Sequence, residues 1–176
     1  MATPTLDGSI ADWASATRLD TDLTGAGGFA LFGQGDAGSF YFAISAPAGT
    51  VIGANTTIWL DTDLNTATGF SVFGAAGAEY NINIDSLGGV GLYTGGAGAI
   101  KVADLSAVFG SDGSVIGIAL PKSLLTGTPD ILRVYADVND VTFLPNSYTG
   151  TNFTVDTRAP VTVGNLTVDG DVTEWG

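Results

Sequence analysis

The sequence predicts an all-β fold: a two-sheet antiparallel β-sandwich, jelly-roll-like, with one or two short helical turns. Three observations carry this prediction. Short segments alternate apolar and polar residues, glycine-rich stretches separate these segments, and sixteen of the 18 acidic residues are Asp. Alternation with period two is typical of half-buried strands, because successive side chains point to opposite faces. Exposed helices usually carry many Glu and Lys residues, and this chain has two of each.

The strands follow from the alternation in chain order. "SFYFAISA" places Phe40, Phe42 and Ile44 on one face, and "EYNINID" places Ile82 and Ile84 inward. The strand candidates are Phe29–Phe32, Ser39–Ala46, Thr56–Asp61, Glu79–Asp85, Val90–Tyr93, Ile100–Val102, Val115–Leu120, Ile131–Asp137 and Asn152–Val155.

Two stretches are candidates for short helical turns. In "LPKSLLTG", Pro121 suits the first turn of a helix and Gly127 suits its end. Asp104–Phe109 is the second candidate. Asp137–Gly150 is polar and is expected to be a loop between strands.

Composition excludes several classes of function. The chain has no Cys and no His, which excludes thiol chemistry, disulfides, Cys/His zinc sites and His-dependent triads. Nothing else marks a catalytic set, so we expect no enzyme activity. A net charge of −13 argues against nucleic acid or an anionic membrane as a partner, and no apolar run approaches the ~18 residues of a membrane span.

The composition also bears on location. High Gly, Thr and Asp content without Cys is typical of exported bacterial surface proteins, so we expect an extracellular or cell-surface location. The first ten residues lack the basic region and apolar core of a signal peptide, so export would depend on a leader outside this sequence.

An internal repeat divides the chain. "TLDGSIADW" (Thr5–Trp13) and "TVDGDVTEW" (Thr167–Trp175) match in Thr, Asp, Gly and Trp. We therefore expect one β-sandwich module over residues 1–160. Residues 161–176 then form a linker or strand and the start of a second tandem repeat, or an inter-subunit segment. The expected partners are other copies of the chain or neighbouring repeats.

The stretch "WLDTDLNTATGF" carries the clearest chemical signal. Asp61, Asp63 and Asn65 lie at alternate positions, Thr68 adds a hydroxyl, and Gly69 lets the loop close. Oxygen-bearing side chains at this spacing suit Ca²⁺. A loop whose Asp side chains cap backbone amides is the alternative. Calcium is favoured because the loop contains no Lys or Arg that would compensate the carboxylates.

Four motifs in order give a family resemblance: "LDGSIADW", "WLDTDLNTATGF", "GAEYNINID" and "IALPKSLL". Together they resemble family-nine carbohydrate-binding modules and the related DOMON-like sandwich domains, over most of residues 5–155. The resemblance implies a β-sandwich with structural calcium held by Asp61, Asp63, Asn65 and Glu79. Some relatives bind sugars and some bind haem. The haem branch is poorly supported, because the chain has no His and no internal Met.

Three further residue sets are candidates for binding or packing. Trp59 with Asn81 and Asn83 would form a glycan-binding platform of aromatic and amide groups, or Trp59 packs under a loop or against a neighbouring repeat. Trp13 is expected to be an inward-pointing anchor. Asp137, Asn139 and Asp140 form a second oxygen cluster, which suits either a metal or turn capping.

Two classes of function remain. The first is a non-catalytic, calcium-stabilised repeat of a secreted or cell-surface protein of the fibre, adhesin or surface-layer type, which serves assembly or attachment. The alternative is a carbohydrate-binding module of a polysaccharide-acting protein, whose partner would be a polysaccharide.

Overall fold

The computed structural model describes residues 3–14, 16–18, 28–72, 76–144 and 153–158. Two antiparallel sheets pack face to face as a sandwich, which confirms the predicted fold class. The strands are β1 Thr17–Arg18, β2 Ala30–Gly35, β3 Ser39–Ser45, β4 Thr57–Asp61, β5 Phe70–Val72, β6 Ala76–Ala78, β7 Tyr80–Ile84, β8 Val90–Thr94, β9 Ile100–Asp104, β10 Ser106–Phe109, β11 Val115–Pro121, β12 Ile131–Val138, β13 Thr142–Leu144 and β14 Phe153–Asp156. Single 3-10 turns span Ala11–Trp13, Gly96–Gly98 and Lys122–Leu124.

Each sheet contains strands from both the N-terminal and the C-terminal half of the chain. Sheet A has the order β1-β2-β3-β11-β10. Sheet B has the order β13-β12-β4-β7-β8-β9, and β14 also pairs with β12. In sheet B, Trp59 of β4 lies opposite Asn81 of β7 on one side and Tyr135 of β12 on the other. This register brings residues far apart in sequence onto one outer face.

The core lies between the two sheets and follows from the alternation. Phe40, Phe42 and Ile44 of β3 are fully buried, and Ile82 and Ile84 of β7 meet them from sheet B. Burying a large aliphatic or aromatic side chain contributes roughly 1.5–3 kcal/mol. The main core therefore uses one face of each sheet and leaves two outer faces to be covered or exposed.

A short hairpin covers part of sheet B's outer face. Strands β5 and β6 pair with each other in a separate two-stranded sheet. Phe70 of β5 stacks on Trp59 with ring centroids 5.2 Å apart. Val72, Ala78 and Tyr135 form a small second apolar cluster there. The loop that precedes this hairpin is the acidic stretch Asp61–Gly69.

The N-terminal segment covers part of sheet A's outer face. Trp13 is 1% exposed and so is a buried anchor, but the predicted inward direction is wrong. Its ring lies beside Gly117 of β11, whose neighbours Ile116 and Ile118 point the other way into the core. Trp13 is thus buried against an outer face and does not enter the space between the sheets.

Two further expectations from the sequence are wrong. Asp104–Phe109 is no helical turn, because Ser106–Phe109 forms β10 and pairs with β11. Asp137–Gly150 is not wholly a loop, because Thr142–Leu144 forms β13 beside β12. In both cases pairing with a neighbouring strand decided the conformation. The predicted turn after Pro121 is confirmed at Lys122–Leu124.

The C-terminal segment 161–176 and its Thr167–Trp175 repeat lie outside the described residues. In the part of the chain that the structure describes, no helix has the length and hydrophobicity of a membrane-spanning helix.

Candidate metal centre

Strand β4 and the turn after it position the first carboxylates. Asp61 is the last residue of β4, and Leu60 before it points into the core. Alternation therefore places Asp61 on the outer face, where the loop folds back over it. Leu64 adopts a positive φ of 61°, which reverses the chain. The backbone amide of Asn65 donates to Asp61 at 3.2 Å and to Asp63 at 2.9 Å.

Three carboxylates converge at this turn. Asp61, Asp63 and Glu79 each offer an oxygen, and these oxygens all lie within 4.8 Å of one another. Glu79 lies between β6 and β7, and its backbone amide donates to the carbonyl of Leu60 at 3.1 Å. The start of β7 thus sits directly beside the end of β4. Among the described residues this is the one such group of acidic side chains that could hold a metal.

Glu79 presents one satisfied and one unsatisfied oxygen. Its Oε2 accepts from the backbone amide of Thr62 at 2.8 Å and from the Thr62 hydroxyl at 3.2 Å. Its Oε1 is buried, and no hydrogen-bond donor reaches it among the described residues. A buried, unsatisfied carboxylate oxygen is costly unless a cation or donor meets it.

Two glycines make room for this arrangement. A Cβ on Gly69 would lie 2.6 Å from Glu79 Oε1 and 2.5 Å from the carbonyl carbon of Ala78. A Cβ on Gly77 would lie 2.6 Å from the carbonyl oxygen of Asn65. The loop Asp61–Gly69 therefore packs on the β5–β6 hairpin more closely than side chains would permit.

The charges at the site favour a divalent cation. Arg133 Nη1 of β12 lies 3.4 Å from Asp61 Oδ2, and Asp61 is fully buried. Burial raises the pKa of Asp61, and the negative charge of Glu79 raises it further, whereas Arg133 lowers it. Three carboxylates against one guanidinium leave two negative charges uncompensated.

The other two predicted ligands, Asn65 and Thr68, form hydrogen bonds within the loop. The Thr68 hydroxyl donates to Asp63 Oδ2 at 2.8 Å, and this bond lowers the pKa of Asp63. The side-chain oxygen of Asn65 accepts from the amide of Ala67 at 3.1 Å. The capped-turn and metal interpretations of the sequence therefore describe one loop, in which capping orients the carboxylates.

The residues present could hold a metal ion. Hard cations prefer carboxylate and other oxygen ligands. Asp61, Asp63 and Glu79 supply the charged part of such a set, and within the described residues no hydrogen-bond donor occupies Glu79 Oε1. Coordination by Asn65 and Thr68 stays a prediction.

An open cleft adjoins this site. Its volume is about 610 Å³, and its lining includes Gly69, Phe70, Glu79 and Thr94. Phe70 is 36% exposed, and Gly95 and Gly96 also line the cleft. The cleft therefore combines an aromatic residue and small residues with Glu79 of the candidate metal centre.

The candidate glycan residues have a different environment from the one the sequence suggested. Trp59 lies opposite Asn81 and Thr57 lies opposite Asn83, so these residues share one face of sheet B. However, Trp59 stacks under Phe70, and its Nε1 donates to Asp137 at 3.1 Å. Asn81 is 2% exposed beneath Gly98. Trp59 thus packs under a hairpin, which was the other interpretation, and sugar binding by these residues stays a prediction.

Two residues of the second predicted oxygen cluster, Asp137 and Asn139, make different contacts. The side-chain oxygen of Asn139 accepts from the amide of Gly53 at 3.0 Å and from the Thr56 hydroxyl at 3.1 Å, so Asn139 fixes the loop before β4. Asp137 is buried beside Trp59, and burial raises its pKa to about 6. Asn139 therefore follows the turn-capping interpretation.

Comparison with family models, with curated proteins and with solved structures finds no match. The resemblance to family-nine carbohydrate-binding modules and DOMON-like domains therefore stays a prediction. The function that follows is argued from the site itself.

Arg133 is the functional residue that sequence reasoning missed. The loop contains no cationic residue, as noted, but β12 supplies one from 72 residues away. The sequence carries no local signal for this contact, because it depends on the pairing of β4 with β12, whose register places Arg133 opposite Asp61.

Proposed function

We propose that this chain is a non-catalytic, calcium-stabilised β-sandwich module of a secreted or cell-surface protein, and that it serves assembly or attachment. One observation carries the calcium part: Asp61, Asp63 and Glu79 converge, and a buried oxygen of Glu79 has no hydrogen-bond donor within the described chain. The lack of His and Cys in the sequence supports a binding or structural role over catalysis.

A bound calcium ion would join two strands of sheet B and the loop beside them. It would hold the end of β4 through Asp61, the following loop through Asp63, and the start of β7 through Glu79. Ligation would also offset the repulsion among the three carboxylates. The ion would therefore act on stability, by binding the folded state and not the unfolded chain.

Thermal unfolding tests the calcium proposal. At a free calcium concentration ~100 times Kd, binding stabilises the folded state by about 2.7 kcal/mol. For a domain of this size that is roughly 5–11 °C in Tm. We expect this rise on adding calcium to chelator-stripped protein, and we expect Asp61→Asn and Glu79→Gln to remove most of it.

The control is an acidic residue outside the cluster. Asp104 is exposed on β9 and pairs with Lys101, so Asp104→Asn should keep the full calcium effect. Magnesium serves as a second control, because it prefers a tighter octahedral set of ligands. Equal melting temperatures with calcium and with chelator would contradict the proposal.

Carbohydrate binding is the second candidate, and the cleft beside Glu79 favours it. Sugars stack their C–H faces on aromatic rings, and their hydroxyls bind polar groups. Phe70 and Glu79 line this cleft together with small residues. This site differs from the predicted platform at Trp59, which lies beneath Phe70.

A glycan panel with two variants separates the two locations. Phe70→Ala should abolish binding if the cleft is the site. Trp59→Phe keeps an aromatic ring under the hairpin and should leave cleft binding nearly unchanged. Absence of binding to any glycan, with and without calcium, would exclude this candidate and leave the stability proposal unaffected.

A further inference from the structure

The N-terminal segment, residues Thr5–Trp13, lies against a groove on sheet A. We define the outer groove by Gly117 of β11 and the Phe109–Gly110 turn. A Cβ on Gly117 would lie 3.0 Å from Leu6 and 3.6 Å from Trp13, so both side chains rest on its backbone. Ala43 of β3 lies opposite Gly117 and is fully buried. Small residues on two adjacent strands therefore create the space that Trp13 fills.

The turn inside the N-terminal segment has its own requirements. Gly8 has a φ of +78°, and a Cβ there would lie 2.5 Å from the carbonyl oxygen of Phe109. Asp7 accepts from the amide of Ser9 at 2.8 Å, and the Ser9 hydroxyl accepts from the amide of Ala11 at 3.1 Å. The segment therefore needs a glycine at one position and side-chain acceptors at two.

The repeated C-terminal segment, residues Thr167–Trp175, keeps three of the residues that make these contacts and replaces the others with residues that can serve the same purpose. Asp7, Gly8 and Trp13 correspond to Asp169, Gly170 and Trp175. Leu6 corresponds to Val168, and the Ser9 acceptor corresponds to Asp171. The buried Pro4 corresponds to Leu166.

Two positions of the segment that face solvent carry different residues in the two copies. Ala11 corresponds to Thr173 and Asp12 to Glu174, which keeps the charge, and both Ala11 and Asp12 are exposed. Gly8 and Trp13, which contact the outer groove, are identical in the two copies.

We infer that the C-terminal segment binds the outer groove of a second copy of this domain, in place of that copy's own N-terminal segment. Each copy would then accept one segment and offer another, so the contact is head to tail and can propagate. A copy has one groove and two matching segments. When the C-terminal segment of one copy replaces the N-terminal segment of another, one set of contacts is lost and an equivalent set is formed. Association between copies is therefore weak unless a substitution weakens the binding of the N-terminal segment to its own groove.

Engineered cysteine pairs test this contact, because the chain has no cysteine of its own. The full-length variant Gly117→Cys/Val168→Cys should form disulfide-linked dimers and longer ladders under mild oxidation. The control Gly117→Cys/Leu6→Cys should form a disulfide within one chain, since Leu6 rests on Gly117. Adding Trp13→Ala to the first variant should increase the ladder several-fold. Adding Gly170→Val should suppress it.

Two results would overturn the inference. One is a disulfide formed only within the chain by Gly117→Cys/Val168→Cys, which would mean that the segment fills its own groove. The other is no cross-link at all while the control pair closes. If Trp13→Ala does not fold, the variant that retains Trp13 decides alone.

Sedimentation provides a second measurement without cysteines. The native chain should sediment faster as its concentration rises, and Trp175→Ala should reduce this dependence. Identical concentration dependence in the two chains would contradict the inference. Both experiments are run with calcium and with chelator, and the same outcome in each separates this contact from the calcium proposal.

Discussion

Gly69 is required for two reasons, a positive φ and close packing against its neighbours, and substitutions can measure the two effects separately. Its φ of +66° disfavours any L side chain, and the space beside it is filled by Ala78 and Glu79. Gly88 has a φ of +83° but no atom within 4 Å of an added Cβ. The two positions therefore share backbone strain and differ in close packing.

We expect Gly88→Ala to cost roughly 1–2 kcal/mol, the usual cost of the left-handed region. Gly69→Ala should cost at least about 1 kcal/mol more, because the loop must move away from the hairpin. Urea unfolding of both variants gives the difference. Equal costs would show that the loop does not pack on Ala78 and Glu79 as described.

Asp137 is a buried acid whose folded pKa is raised from 3.8 to about 6, mainly by burial. The folded state then holds the proton more tightly than the unfolded state. This contribution to stability is fully present below pH 3.8 and is lost as pH rises to about 6. Asp137→Asn should therefore stabilise the fold by roughly 1–3 kcal/mol above pH 6, and by little below pH 4.

Asp85 provides a control of the opposite sign. The amides of Gly89 and Leu87 donate to its carboxylate, and these bonds lower its pKa. Asp85→Asn should therefore destabilise the fold at neutral pH, and the loss should shrink as the solution becomes acidic. Urea unfolding across the pH range measures both variants. A stabilising Asp85→Asn or a pH-independent Asp137→Asn would contradict the assigned environments.

At the scale of elements, the pairing of β4 with β12 supplies the cation that the acidic loop lacks. Arg133 faces Asp61 across the two strands. Removing one partner of a buried ion pair leaves the other charge uncompensated. Arg133→Gln should therefore destabilise the calcium-free chain, by up to roughly 3–5 kcal/mol.

Calcium should offset part of this loss, because the ion is a second positive charge beside Asp61. The calcium-induced rise in Tm should thus be larger in Arg133→Gln than in the native chain. The control Arg133→Lys keeps the charge and should lie between the two. A calcium effect that vanishes in Arg133→Gln would show that Arg133 orients the carboxylates and that its charge is secondary.

The sequence predicted the strands with clear alternation and missed those without it. Phe40, Phe42 and Ile44 marked β3, and Ile82 and Ile84 marked β7. Strands β5 and β6 carry only three residues each, and β6 is the sequence "AGA", which has no alternation to detect. Their conformation depends on packing over Trp59.

The candidate site was also predictable only in part from the sequence. The spacing of Asp61, Asp63 and Asn65 indicated the loop, and the family resemblance added Glu79. Arg133 and the contact of Gly69 with Glu79 were not predictable, because both depend on strand register and on the path of the hairpin.

At the scale of the whole molecule, each sheet has one face in the core and one outer face that is covered in part. The N-terminal segment covers sheet A, and the β5–β6 hairpin covers sheet B beside the three carboxylates. A net charge of −13 opposes compaction of the whole chain. Salt should therefore stabilise the calcium-free protein by screening, and calcium should act beyond this effect at constant ionic strength.

Calorimetric titration of the chelator-stripped chain at constant ionic strength measures calcium binding by Asp61, Asp63 and Glu79 most directly. We predict one calcium ion bound per chain, and binding weakened at least tenfold in Glu79→Gln but unchanged in Asp104→Asn. Absence of a binding isotherm in the native chain, or equal affinity in Glu79→Gln, would contradict a calcium centre at these residues.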